Sequence, residues 1–196
     1  FAPMDAPCEI WLLRLTNHSE TPRRLQIFSY FEWLLGAAPD WHREFHRTFI
    51  ETEYDADHGV LLASKVMWDL PVESKAHWNR SWDYVAFHSA SQAPAGFDGD
   101  KRDFLGRHGH LQSPQALVSG QSHGNTGRWG DAIGSLQVAI TLQPGETREI
   151  AFTLGAADSR AEALAIGGRF HDLGEVHAAL DAARGYWRDL TGRLVV

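Results

Sequence analysis

Cysteine is almost missing from this chain. Cys8 is the single one in 196 residues, which excludes an internal disulfide framework and any cysteine-rich metal site and fits a reducing compartment. Long apolar runs are missing as well, since no stretch approaches the ~20 residues a membrane-spanning helix needs. Basic charge is in deficit. A formal charge of -7 argues against nonspecific nucleic-acid binding, whose usual footprint is a basic face. No internal repeat and no low-complexity segment interrupts the chain. Phe1 stands where a natural start would carry methionine, and no basic n-region or apolar h-region follows it. The reading expected from this is a piece of a longer protein.

What is present suits one larger domain or one and a half smaller ones, with 43% of residues hydrophobic. A compact chain of this length buries roughly 70% of its unfolded surface, enough for a core without staples. Eight Trp, ten Phe and 11 His form a heavy aromatic load. Large β-sandwich cores collect such side chains, and carbohydrate-handling proteins use them to stack on pyranose rings.

Alternation of apolar side chains points to strands over most of the length. In Cys8–Thr16, Trp11, Leu13 and Leu15 oppose Ile10 and Leu12, so both faces are apolar and the strand is expected to be central. A second strand is expected from Leu25 to Leu35, and another from Phe45 through Glu53 to a hairpin turn at Asp55–Gly59, returning over Val60–Trp68. Trp82–Ala90 reads as a strand with Tyr84, Ala86 and His88 on one face. Ile133–Leu142 and Glu149–Gly155 form a hairpin across Pro144-Gly145. Two helices close the chain. Asp158 is expected to cap the first, which runs through Phe170; the second, Gly174–Leu190, carries Val176, Leu180, Ala183, Trp187 and Leu190 on one face.

Two patches concentrate polar chemistry. Trp41–Phe49 reads WHREFHRTF, and Phe97–Gly109 reads FDGDKRDFLGRHG, a stretch whose glycines and charges suggest a ligand-facing loop pinned by Phe97, Phe104 and Leu105. Arg43 and Arg47 offer planar forks for hydroxyls, carboxylate or phosphate; His46, Glu44, Arg102 and Arg107 add directional partners. The competing reading is a solvated surface on which these charges pair with one another. His42 and His46 have metal-like spacing, but Arg43 holds the place where a zincin has Glu. No serine-hydrolase elbow occurs, and Cys8 falls in a core strand where a thiol is inert. Glu51 with Glu53 and Asp98 with Asp100 are paired carboxylates, expected to be too exposed for the raised pKa of a general acid. The chain therefore shows no self-sufficient catalytic set.

The order FAPMDAPCEIWLLRLTN, SYFEWLLG, ETEYDADHGVLLA, DKRDFLGR, LQPGETREIAFTLG and YWRDLTGRLVV resembles the amino-terminal β-sandwich of inverting glycoside phosphorylases and cyclic β-1,2-glucan synthases. These form glycoside hydrolase family 94, formerly glycosyltransferase family 36. The resemblance implies a mainly β fold, an antiparallel super-sandwich of galactose mutarotase-like type, with residues 1–156 as its second half. Residues 157–196 would be linker helices leading to an (α/α) barrel that lies outside the chain. In that family the catalytic aspartate sits in the barrel and protonates the leaving oxygen while inorganic phosphate, a co-substrate and not a cofactor, attacks the anomeric carbon. The fragment alone is then expected to be inactive. The family's disaccharide phosphorylases bring an Asn-Phe-Gln-Arg-like run to the acceptor subsite. Here the place reads Glu44-Phe45-His46-Arg47, so Arg47 matches while Glu44 and His46 depart, which weakens the case for cellobiose. The run looks closer to phosphorylases of β-1,2-glucooligosaccharides or of aldonic-acid disaccharides such as cellobionic acid, with a cyclic glucan synthase as the alternative. The implied partners are a β-glucan or glucosyl disaccharide, the barrel of the same chain and a second copy in a homodimer. The implied location is cytoplasmic, or membrane-attached for a synthase.

Overall fold

The structure, a computed structural model, describes residues 1–36, 47–66 and 82–192. Among the described residues nine strands form two antiparallel sheets. The first contains β1 (Cys8–Thr16), β4 (Ile50–Asp55), β5 (Val60–Lys65), β6 (Trp82–Ala90) and β9 (Thr147–Ala157), in the order β1-β9-β6-β5-β4. In the second, β8 (Ala132–Leu142) is the hub. It pairs with β2 (Arg23–Phe28), with β3 (Phe31–Glu32) and with β7 (Gly96–Asp100). This is the expected antiparallel super-sandwich.

Period-two alternation sorts each strand between two layers. Trp11, Leu13 and Leu15 of β1 join Leu61, Ile150 and Phe152 against Leu25, Ile27, Leu136, Val138 and Ile140, so the principal core lies between the sheets. The other face of β1 and β5 is covered by α3 (Arg160–Arg169) and α4 (Leu173–Thr191), where Ile10 meets Phe170 and Val176, and Val60 and Leu62 meet Ala163. Beyond the second sheet, Phe104 of α1 (Lys101–Leu105) and Ala116 of α2 (Gln115–Ser119) close over Ile133. Each fully buried Phe or Leu contributes about 2 kcal/mol.

A buried polar chain crosses the core. His88 on β6 has no solvent exposure; its Nδ1 donates to the Thr153 carbonyl at 3.0 Å and its Nε2 accepts from the Ser29 hydroxyl at 2.7 Å. The same hydroxyl accepts from the Leu136 amide at 2.9 Å. The imidazole thus pins one sheet to the other. Phe31 stands edge-on to its ring and Phe152 stacks on it. Burial pulls its pKa down from 6.5 to about 4, with the Thr153 hydrogen bond opposing.

Several boundaries differ from the sequence reading. β1 is apolar on both faces but lies at an edge of its sheet, because helices cover its outer face while only β9 pairs with it. The expected Leu25–Leu35 strand breaks at Ser29 and Tyr30, where Ser29 turns its amide and hydroxyl to Leu136. Arg47–Phe49 are not strand, Thr48 and Phe49 forming a turn, and β4 starts at Ile50. Ser159, not Asp158, caps α3, its hydroxyl accepting from the Glu162 amide. The Phe97 stretch is not a free loop: it holds β7 and α1, and Asp98 is completely buried. Burial raises the Asp98 pKa despite the hydrogen bond it accepts from the His123 amide, contrary to the exposure expected for this carboxyl. Cys8 is half-buried with its thiol pushed up to about 11 by burial, as an inert thiol should be.

Candidate functional site

Glu32 on β3 gathers three donors. Its Oε1 accepts from the Tyr30 hydroxyl at 2.9 Å and lies 2.7 Å from the Lys101 ammonium, while its Oε2 accepts from Arg47 Nη1 at 2.6 Å. Asp131, just before β8, pairs with the other Arg47 terminal nitrogen and stands 3.7 Å from Lys101. Burial would raise the Glu32 pKa, but Lys101, Tyr30 and Arg47 outweigh it and hold the carboxylate ionised below its usual range. Burial and the Glu32 hydrogen bond push the Tyr30 phenol well above its ordinary value. The cluster exists because β8 draws distant segments together. The Trp33 amide donates to the Ala132 carbonyl and the Lys101 amide to the Asp131 carbonyl, so β3, the start of α1 and the start of β8 converge.

A polar cleft of about 180 Å³ adjoins this cluster, with Thr52, Asp100, Asp103, Asn125 and Arg128 among its walls. Asn125 donates to Asp103 at 2.8 Å and Arg128 pairs with Glu51 at 2.6 Å. Trp129 lies between two lining residues in sequence; it is 57% exposed, with its backbone at φ 66.

The chain has counterparts among known proteins. The family model described as "Glycosyl hydrolase 94, supersandwich domain" matches residues 1–173. The chain belongs to the glycosyl hydrolase 94 family. It is 32% identical over 195 residues to the cyclic beta-(1,2)-glucan synthase NdvB of Rhizobium meliloti (strain 1021), covering 95% of this chain and 6% of that protein. It is 29% identical over 163 residues to the solabiose phosphorylase of Paenibacillus borealis, covering 83% and 20%. A third relative, the 3-O-beta-D-glucopyranosyl-beta-D-glucuronide phosphorylase of the same organism, is 27% identical over 193 residues, covering 98% and 24%. The chain thus spans less than a quarter of each of these multi-domain relatives.

Among the described residues of this glycosyl hydrolase 94 supersandwich, Arg47 is the one predicted residue found in the cluster. Its side chain is only 16% exposed, and it pairs with two carboxylates. Arg43, Glu44 and His46 lie outside the described residues, as does His42. Arg102 and Arg107 are exposed on and after α1; among the described residues no ion pair joins either to the Arg47 cluster. Sequence reasoning missed Tyr30, Glu32, Lys101 and Asp131. Glu32 sits in the FEW run and Lys101 in the charged stretch, but nothing in linear spacing brings them to Arg47. Among the described residues no three His, Cys, Asp or Glu side chains converge on a metal position. No described helix is long and apolar enough to cross a membrane.

Proposed function

We propose that this supersandwich walls the acceptor-sugar subsite of an inverting β-glucoside phosphorylase of β-1,2-oligoglucan or cellobionic-acid type. The observation that carries the reading is Arg47: in a domain of this family, a largely buried guanidinium held between Glu32 and Asp131 has fixed geometry. Such a fork can orient sugar hydroxyls or a carboxylate without first losing its own freedom. Arg43, Glu44, His46, Arg102 and Arg107 are assigned to the same wall. In this reading residues 1–156 are sandwich and residues 157–196 lead to an (α/α) barrel. The barrel's aspartate protonates the leaving oxygen while inorganic phosphate attacks the anomeric carbon. The enzyme is a cytoplasmic homodimer.

A second reading is a structural module of a cyclic β-1,2-glucan synthase, in which the arginines only pair locally. Two observations favour it: both carboxylates on Arg47 belong to this chain, and the glucan synthase relative is 32% identical.

Arg47→Ala in the intact protein separates the two. Losing charge-assisted hydrogen bonds to the acceptor should raise KM for the acceptor in the synthetic direction by roughly tenfold or more, leaving KM for glucose 1-phosphate nearly unchanged. Arg47→Lys, which keeps the charge that balances Glu32 and Asp131, should show most of the same KM increase because the planar fork is gone. Equal changes in both KM values, or none, would favour the structural module.

A further inference from the structure

Charge is divided unevenly along this chain. Residues 101–130 hold four Lys and Arg against one Asp, a charge of +3, so the remainder of a chain of net -7 carries -10. From Phe104 to Gly130 there is no Asp or Glu at all. The first part of this stretch folds into a cap on the second sheet. Phe104 of α1 and Ala116 of α2 are sunk against Ile133, a Cβ on Gly106 would lie 2.9 Å from the Gln115 side chain, and the Ser113 amide closes a turn onto the His110 carbonyl. What the cap turns outward is aliphatic and basic. Leu111, Leu117 and Val118 are 57%, 49% and 67% exposed. Arg102 and Arg107 are exposed as well, and among the described residues neither enters an ion pair.

The opposite character gathers at a corner of the first sheet. Glu53, Asp55 and Asp57 at the β4–β5 hairpin adjoin Asp158 and Glu162 at the start of α3, where Arg160 bonds to both Glu53 and Asp55. Asp57, Asp158 and Glu162 are exposed, and among the described residues none of them enters an ion pair. Beside this corner is a cavity of about 200 Å³ lined by Leu62, Ala63 and Val85 together with Glu51, Glu53 and Arg160. Both surfaces abut β4. Glu53 and Asp55 lie on that strand, and the end of the basic stretch is tied to it by the Thr52 amide on the Gly127 carbonyl at 3.0 Å and by Arg128 on Glu51 at 2.6 Å.

An aliphatic, carboxylate-free centre with arginine at its rim has the make-up of a protein contact. Two unpaired arginines fall short of the clusters of about 4–8 cations that attach a protein to an anionic bilayer. A surface that complements the cap is present on the same molecule: carboxylates without a cation, next to an apolar-lined cavity that an aliphatic side chain can enter.

We infer that the cap formed by α1 and α2 docks on the acidic corner of a second copy of this chain. Leu117 and Val118 enter the cavity lined by Leu62, Ala63 and Val85, while Arg102 and Arg107 meet Asp57, Asp158 and Glu162. Repeated about a twofold axis, the contact closes a dimer with the cap of each copy on the corner of the other. This rests on the proposed function only for the homodimer. For Arg102 and Arg107, the test decides between these carboxylates and the acceptor.

The test is analytical ultracentrifugation of the intact protein and of two variants that each reverse one surface: Arg102→Glu with Arg107→Glu on the cap, and Asp57→Lys with Asp158→Lys on the corner. Either variant alone should dimerise about 100-fold more weakly at low salt, because like charges then face each other. Mixed in equal amounts, the two should form a heterodimer of near wild-type affinity, since one contact is then native and the other has its charges exchanged. A misfolded variant cannot be rescued in this way. Val118→Glu should dissociate the wild-type dimer, and raising NaCl from about 50 mM to about 500 mM should weaken it. A wild type that is monomeric at about 10 µM overturns the inference. So does a dimer that both variants leave intact, a mixture that fails to associate, or a wild type that gathers only on vesicles of phosphatidylglycerol and phosphatidylcholine. A cap covered by another domain of the same polypeptide would leave the mass unchanged in every variant, and that also overturns it. The two proposals fail separately: an unchanged acceptor KM in Arg47→Ala refutes the acceptor wall and leaves the dimer surface standing, whereas a failed rescue refutes the dimer surface and leaves Arg47 untouched.

Discussion

Acidification should unfold this domain through one imidazole. His88 is fully buried, its ring is faced by Trp11, Phe31, Phe152, Ser29 and Thr153, and among the described residues no carboxylate pairs with it. Its pKa is about 4 in the folded chain, against the 6.5 of a solvated histidine. Between those values the unfolded chain binds a proton that the folded chain refuses, so stability is complete above 6.5 and falls as the pH drops toward 4. The gap corresponds to about 3 kcal/mol. The assay is urea unfolding followed by tryptophan fluorescence from about pH 7 to about pH 4, comparing the wild-type chain with His88→Gln, which cannot titrate. The variant starts weaker but lacks this slope. Glu32, Asp55, Glu146 and Glu149, all held low by their partners, Asp98, held high by burial, and His171, lowered by burial, titrate in both proteins and cancel in the difference. The wild-type midpoint should therefore fall by roughly 1–2 M urea more than the variant's over that range. Parallel curves, or a wild type that gains on the variant as pH falls, would refute the claim that the pin is a neutral imidazole.

Gly134→Ala should destabilise the domain by about 1–3 kcal/mol, because the new methyl would meet the Phe31 ring at 2.2 Å in the β3–β8 pair; an unchanged thermal midpoint would show that the ring can swing aside. Asp172→Ala removes the carboxylate that accepts the Gly174 amide at the start of α4, and should lower stability by about 1 kcal/mol in the same assay.

The parts of the fold that could be read from sequence are those set by local signals. β1 and β6 were legible to the residue, because alternation needs no knowledge of partners. Gly59 at φ 66 and Gly145 at φ 74 turn the chain at both expected hairpins. Errors arose where a distant partner decides the outcome. An apolar pattern on both faces of β1 reports that both faces are covered, and it carries no information about how many strands lie alongside. Asp98 looked solvated among charges, yet its strand lies along β8, and residues 122–124 close over the carboxyl. Arg47–Phe49 alternate like a strand, but Arg47 is drawn to Glu32 and Asp131 while Phe49 is buried, and the backbone turns to satisfy both.

The Arg47 cluster was illegible for the same reason, and its charges add little stability. Glu32 and Asp131 retain 31% and 45% side-chain exposure, so each pair is worth at most about 1 kcal/mol, and apolar residues would brace the same junction as well. What the charges supply is position. Three donors on one carboxylate fix the Tyr30 hydroxyl, the Lys101 ammonium and the Arg47 fork relative to one another, and the backbone bonds at Asp131 and Ala132 fix their origins. The ordering entropy of those long side chains is spent during folding, at roughly 2 kcal/mol for an arginine or lysine. Under the proposed acceptor-wall function, a sugar hydroxyl would meet groups already in place, and the affinity it gains would not be discounted for arranging them.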